Sequence, residues 1–185
     1  MIRIGKKVFT QQYHSPCGDL LLASCEDKLC LCGWLGGKHS ETKMAIRFNK
    51  ALCAELIDAP SEVTKAAACE LDEYFSGRRT TFDTPLLMIG TDFQKSVWNA
   101  LLSVSYGTVK SYGELAEQIG NPKAVRAVGA ANGANSISIF IPCHRIIGKN
   151  HSLTGYAGGL EAKKYLLKLE KVQFKPSGNV DIKQV

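Results

Sequence analysis

Two residues able to make and break a covalent bond stand side by side in "IPCHRIIG", Ile141 to Gly148. Cys143 is a strong nucleophile once it is a thiolate, and His144 is a base that titrates near neutrality. Passing the thiol proton to the imidazole, directly or through a water, would generate that thiolate. Charge on His144 or Arg145 would also lower the thiol from its reference of roughly 8.5. Neighbouring side chains of an extended segment point to opposite sides, which favours the water-bridged route. The same dipeptide also suits a thiol that is merely buried, since free cysteine is among the most buried residue types.

The other cysteines offer less. The chain has seven. Cys30 and Cys32 alternate along an expected strand and read as core, and with Cys25 they lack the C-x2-C spacing of a zinc knuckle. Cys17, Cys53 and Cys69 have no neighbouring histidine. Seven thiols fit a reducing compartment. The first twenty residues hold no apolar h-region and no run of eighteen apolar residues occurs, so a cytoplasmic protein without a membrane partner is expected.

Charge separates the two halves. Residues 1 to 92 carry 11 Lys and Arg against 12 Asp and Glu, net −1, whereas residues 93 to 185 carry 12 against 5, net +7. A basic half beside a neutral one points to a polyanion such as nucleic acid, or to a solvated basic surface. At 185 residues and 45% hydrophobic, the chain can bury one large core or two small ones.

The elements that must position Cys143 follow from the pattern around it. Ile137, Ile139 and Ile141 alternate with Ser138 and Phe140, the period of a strand with one buried face. Pro142 cannot donate to a ladder, so Cys143 is expected at the strand's end. Upstream, Asp92 can cap a helix carrying Phe93, Val97 and Leu101 on one face beside Trp98 and Leu102. Ser111 and Glu114 have the spacing of a capping box, Leu115 and Ile119 supply an apolar side, and Gly120 ends that helix. Asn121 as cap and Pro122 at the first helical position predict a second helix to about Asn132, stopped by Gly133.

This pair reads as a helix-turn-helix or an ordinary helical hairpin. Its second helix, "PKAVRAVGAAN", is nearly all small residues with Arg126 as the one long side chain. It lacks the amides and multiple arginines of direct base readout, but one arginine on a smooth helix suits insertion into a base stack.

The N-terminal third predicts a strand meander over Val8–Tyr13, Leu20–Ser24 and Leu29–Leu35, with turns at "SPCG" and "EDK". Met44, Phe48 and Leu52 recur at helical spacing. A firmer helix starts at Ser61 and Glu62, carries Ala67, Leu71, Tyr74 and Phe75, and stops at Gly77. The polar "GRRTTFDTP" follows, within a linker stretch reaching residue 92.

"IPCHRIIG", preceded by "NPKAVRAVGAANGAN" and followed by "TGYAGGLEAKKYLLKLE", resembles the O6-alkylguanine-DNA alkyltransferase family, specifically its bacterial methylated-DNA–protein-cysteine methyltransferase type. The resemblance runs from about Phe93 to Glu170; the N-terminal part is similar in pattern at "SPCGDLLLAS" and "LDEYFSGRR". It implies an α/β (α+β) protein. A ribonuclease-H-like α/β domain (residues 1–83) and a linker (84–92) would precede a mainly helical domain with the helix-turn-helix (93–173) and a tail (174–185).

The resemblance also implies roles. Cys143 would take the alkyl carbon as a thioether, His144 would accept the thiol proton through water, and Glu170 would orient His144. Asn135 would brace the turn before the cysteine. Tyr112 would rotate the nucleotide and protonate the departing guanine. Contacts to double-stranded DNA containing O6-alkylguanine would come from Tyr112, Gly113, Asn121, Arg126, Ala127, Gly129, Ala130 and Lys149, with Arg126 filling the space of the flipped base. Tyr156, Ala157, Gly158 and Gly159 would line the base pocket. No cofactor is implied, because the alkylated base carries its own leaving group, and the protein would act once as a monomer. Ser136 stands where a proline is usual. Some relatives bind zinc near positions matched by Cys25 and Cys30, but Lys6 occupies a third and no histidine lies near the fourth, so no structural metal is expected.

Two rival readings remain. An alkyltransferase-like lesion sensor would carry another residue in place of Cys143. A Cys-His-Glu hydrolase would turn over repeatedly and has no use for a basic half.

Overall fold

A computed structural model describes residues 6–36 and 54–181. The helix predicted through Met44, Phe48 and Leu52 lies outside the described residues. Contacts divide the chain into two compact units at Ile89 and Gly90.

In the first unit the three β-prone runs form the expected meander. Strands β1 (Lys7–Ser15), β2 (Gly18–Cys25) and β3 (Lys28–Trp34) pair antiparallel in sequence order. Glu26 and Asp27 turn β2 into β3 at φ 51° and 58°, the left-handed pair whose twist matches that of the flanking strands. A fourth strand, β4 (Glu55–Ile57), pairs parallel with β1 and gives the order β3-β2-β1-β4. Three residues are too few to display a period, so the sequence does not announce it.

Helix α1 (Glu62–Phe75) starts on a reciprocal cap in which Thr64 N donates to Ser61 Oγ and Ser61 N donates to Thr64 Oγ1. It buries Ala67, Leu71 and Tyr74 over the sheet and ends before Gly77 at φ 73°. Leu20, Leu22, Leu29 and Leu71 are fully buried, and each such side chain contributes about 1.5–3 kcal/mol. Beyond the helix, Glu70 accepts from the backbone of Asp83 and Thr84, and Leu29 exchanges hydrogen bonds with Pro85 and Leu87 at 2.8 Å. Those bonds cover the outer edge of β3.

The second unit begins with α2 (Asp92–Leu102), which corrects one expected cap. Thr91, not Asp92, is the N-cap, because its hydroxyl accepts from Gln94 N while Gln94 Oε1 accepts from Thr91 N. Strand β5 (Lys110–Ser111) leads into α3 (Tyr112–Gln118), where Ser111 and Glu114 form the expected capping box. Gly120 at φ 73° ends α3, and Asn121 N donates back to Ala116 O at 2.9 Å. Helix α4 (Val125–Gly133) starts three residues later than expected. Asn121 to Ala124 close a turn of their own, with Ala124 N donating to Asn121 O, and Ala124 is the N-cap. Helices α2, α3 and α4 pack together, and Trp98 Nε1 donates to Ala131 O at 2.9 Å.

The larger correction lies just before the cysteine. Residues 137–141 are not a strand: one bridge joins Ser138 to Ile141, and Ile139 takes a left-handed φ of 72°. The isoleucines are buried as their alternation suggests, but so are Ser138 and Phe140. A segment buried on every side leaves no solvent face for a strand period to describe. Cys143 therefore opens a single-turn 3-10 helix (Cys143–Arg145) instead of closing a strand. Strand β6 (Ile146–Ile147) then runs parallel to β5, and α5 (Gly159–Leu169) packs on the 3-10 turn. Ile147, Leu167, Val172 and Val180 form a buried cluster beneath it. Among the described residues no helix is long and apolar enough to cross a membrane.

Candidate active site

Asn135 shapes the turn that leads to Cys143. Its Nδ2 donates to Ile141 O at 3.0 Å, and its Oδ1 accepts from Ile137 N at 3.0 Å. One buried amide thus holds both ends of the turn that replaces the expected strand, and Cys143 N donates to the same Ile141 O at 2.8 Å. Cys143 is 4% exposed. Burial pushes its thiol above the ordinary value, opposed by the polar Asn135 side chain, the charge of Lys163 and the backbone of the 3-10 turn. The expected lowering by His144 or Arg145 is not what the site provides, because Arg145 spends its charge on Glu170.

Glu170, the residue after α5, gathers four bonds. Its carboxylate accepts from His144 Nε2 at 2.8 Å, from Arg145 Nε at 2.8 Å and Nη2 at 2.9 Å, and from Gly107 N at 3.2 Å. Burial works to raise its pKa, yet the partnership with His144 and Arg145 holds it well below the usual carboxylate range. Arg145, always charged, donates further to Val104 O and lies 5.9 Å from the Tyr106 ring centroid.

A carboxylate only accepts, so Glu170 assigns the proton of a neutral His144 to Nε2 and leaves a lone pair on Nδ1. Burial lowers the His144 pKa and keeps it neutral, against the pull of Glu170. Nδ1 is buried and has no hydrogen-bond partner among the described residues. The arrangement is a thiol followed by a base with a free lone pair, oriented by a third group.

Tyr112 begins α3, and its hydroxyl accepts from Thr154 Oγ1 at 3.4 Å. Gly129 of α4 sits beside it: a Cβ added there would lie 3.8 Å from the Tyr112 ring. Arg126, Ala127 and Ala130 are exposed on α4, Asn121 and Lys149 are exposed in turns, and Gly113 is half-buried. The Tyr156 ring stands edge-on to His144, centroids 6.4 Å apart. Ala157 and Gly158 are half-buried beside it, and Gly159 at φ 85° opens α5. Direct contacts therefore link Asn135 and Cys143 through Ile141 O, and His144 to Glu170 and Tyr156. Tyr112 contacts Thr154 and lies next to Gly129.

Arg145 and Lys163 were missed as site residues. Lys163 is fully buried, and its ammonium donates to Ile146 O at 2.5 Å and Thr154 O at 2.7 Å. The signal was available: Lys163, Leu166, Leu167 and Glu170 recur at the spacing of one helix face, so two charged residues share the apolar side of α5. Among the described residues no cluster of three or more His, Cys, Asp or Glu is arranged to hold a metal. Near Cys25, Lys6 pairs with Glu26 at 2.8 Å.

The chain is similar in sequence and fold to known proteins. Residues 92–172 match the model of the 6-O-methylguanine DNA methyltransferase DNA binding domain, and residues 8–88 match that family's ribonuclease-like domain. A methylated-DNA–protein-cysteine methyltransferase of Methanosarcina acetivorans is 46% identical, over 85% of this chain and 95% of its own. The constitutive enzyme of that name in Bacillus subtilis is 41% identical, over 88% and 94%. A crystal structure of Mycobacterium tuberculosis O6-methylguanine methyltransferase superposes with a TM-score of 0.76 at 41% identity, covering 89% of this chain and 93% of its own. A structure of the same organism's protein in complex with DNA gives 0.74 at 42% identity, covering 89% and 92%. With both of its units matched in order and the oriented Cys-His-Glu group lying in the second, the chain belongs to the 6-O-methylguanine DNA methyltransferase family.

Proposed function

We propose that this protein repairs DNA by moving the alkyl group of O6-alkylguanine onto Cys143 in one irreversible step, acting as a monomer in the cytoplasm and needing no cofactor. The observation that carries this reading is the ring of His144, the residue next to Cys143, tied through Nε2 to Glu170 with a buried, unpartnered Nδ1. The Cys143 proton passes to Nδ1 through a water. The thiolate then attacks the alkyl carbon, the carbon–O6 bond breaks, and its electron pair leaves on the purine, where the Tyr112 hydroxyl supplies a proton. A thioether is a poor leaving group, so each molecule acts once.

The reacting carbon lies inside a base stack, so the nucleotide must be extruded. The exposed small residues Ala127 and Ala130 let α4 approach the minor groove closely, and Arg126 projects from the same helix to occupy the emptied position. Gly113, Asn121 and Lys149 contact the backbone around it, Asn135 holds the turn before the nucleophile, and Tyr156, Ala157, Gly158 and Gly159 border the extruded base. Incubation with a duplex containing a single O6-methylguanine, followed by intact mass measurement, tests this: one methyl group per protein, located on Cys143, is expected. An unchanged mass with undamaged binding would instead indicate a lesion sensor, and repeated turnover of an acyl substrate would indicate a hydrolase.

A further inference from the structure

The Tyr112 hydroxyl makes one hydrogen bond among the described residues, and it comes from Thr154. Thr154 Oγ1 donates to the Tyr112 oxygen at 3.4 Å, and both residues are half-buried. Thr154 stands two residues ahead of Tyr156, in a stretch with no helix or strand of its own. A long bond between two side chains matters only when both ends are held in place. Here both are held, and by the same strand.

Tyr112 is held through β5. Ser111, its neighbour, pairs with Ile147 of β6 and caps α3. The Tyr112 ring lies against Gly129 of α4, where an added Cβ would sit 3.8 Å from it. Thr154 is held by Lys163, whose wholly buried ammonium donates to Ile146 O of β6 at 2.5 Å and to Thr154 O at 2.7 Å. Strand β6 thus anchors the tyrosine through a backbone ladder and the threonine through one lysine. A buried cation is costly to keep, and this one locks an irregular stretch at the residue whose hydroxyl meets Tyr112.

We infer that Thr154 is a positioning residue for proton delivery: its hydroxyl, set by the Lys163 clamp, occupies a lone pair of the Tyr112 oxygen and leaves the tyrosine's own proton free for the departing purine. This rests on the alkyl-transfer reading above. The bond gains strength during the reaction. As the carbon–O6 bond breaks, its electron pair goes to the purine and the Tyr112 proton follows. The tyrosine oxygen is left with a negative charge, which water later neutralises by returning a proton. A hydrogen bond to a charged acceptor is shorter and about twice as strong as one between neutral groups. Thr154 therefore stabilises the transition state more than the resting site, which raises the rate without tightening DNA binding.

The test uses Thr154→Val, which keeps the shape and the backbone bond to Lys163 but lacks the hydroxyl, and Thr154→Ser, which restores it. Single-turnover methyl transfer is measured against protein concentration on a duplex containing O6-methylguanine. Thr154→Val should lower the maximal rate about 5- to 10-fold and leave the half-saturating concentration unchanged, and Thr154→Ser should recover the rate. In a Tyr112→Phe background Thr154→Val should change nothing further, because the oxygen it serves is gone. A full additional loss in that background would make Thr154 a brace, and a raised half-saturation with the maximal rate intact would make it a DNA contact. Either result overturns the inference, as does an unaltered rate. Should Thr154→Val not fold, Thr154→Ala carries the same predictions. The NMR signal of the Tyr112 ring carbon that bears the hydroxyl, read without DNA, should move in Thr154→Val and return in Thr154→Ser; an unmoved signal refutes the contact. If the signal behaves so while even the unaltered protein transfers no methyl, the repair reading falls, and the proton role with it, while the contact stands.

Discussion

His144 Nε2 lies 2.8 Å from Glu170 Oε1, and neither side chain reaches solvent. That contact fixes which nitrogen of the ring carries the proton, and it draws Arg145 into the same group through the other carboxylate oxygen. Orientation of the base and burial of the arginine are consequences of one carboxylate.

Glu170→Gln should therefore cost both activity and stability. The amide can present its oxygen to His144 or to Arg145 but cannot neutralise the arginine, and breaking a buried pair in this way costs about 3–5 kcal/mol. Because the folded pKa of Glu170 is depressed, its stabilisation is complete above the unfolded value of about 4.3 and is lost as pH falls through the lower folded value. Urea unfolding across pH should show the full gap between the two proteins at neutrality and a narrowing gap below about pH 4.

Cys143→Ala should abolish methyl transfer and retain binding to the lesion duplex, measured by fluorescence anisotropy. Loss of binding along with transfer would make the thiol a structural element.

Asn135→Ala deletes the bonds to Ile141 O and Ile137 N together. Leaving the buried Ile137 N unpaired, and Ile141 O with its remaining bond from Cys143 N, should cost about 1–3 kcal/mol in thermal or urea unfolding. Transfer should slow as the turn that seats Cys143 loosens. A protein with unaltered stability would show that the amide is dispensable to this turn.

Arg126→Ala should slow repair of the duplex far more than reaction with the free base O6-methylguanine, since only the duplex has a gap to fill. Equal slowing would contradict a role in extrusion. Affinity for undamaged duplex should fall with added salt as counterions are displaced.

Local chemistry was the most legible part of the sequence. The Ser111–Glu114 box, the Gly120 stop and the hairpin turn at Glu26 and Asp27 are set by neighbours a few residues apart, and they occur where the pattern puts them. Asn121 and Pro122 looked like a helix start, but the backbone there closes a separate turn before α4. Ile137 to Ile141 failed for a different reason: an alternating pattern records a strand only when one face meets solvent, and here Ser138 and Phe140 are as buried as the isoleucines. The motif around Cys143 points to a candidate pair with His144, and the family resemblance adds Glu170, Asn135 and Tyr112 as candidates, of which Glu170 contacts His144. Lys163 escaped because a lysine on a helix is ordinarily taken for a solvated residue, and only packing reveals which face it occupies.

The buried position of Val180, against Ile147 and Leu167, has a consequence for how the protein is made. Ile147 lies four residues past Cys143, and the last member of its cluster, Val180, arrives thirty-three positions later in the chain. During synthesis the first unit can fold as it emerges from the ribosome. The second stays incomplete until Val180 has been added, so a product truncated before it would keep Cys143, His144 and Glu170 yet lack part of the cluster that packs on Ile147 and Leu167.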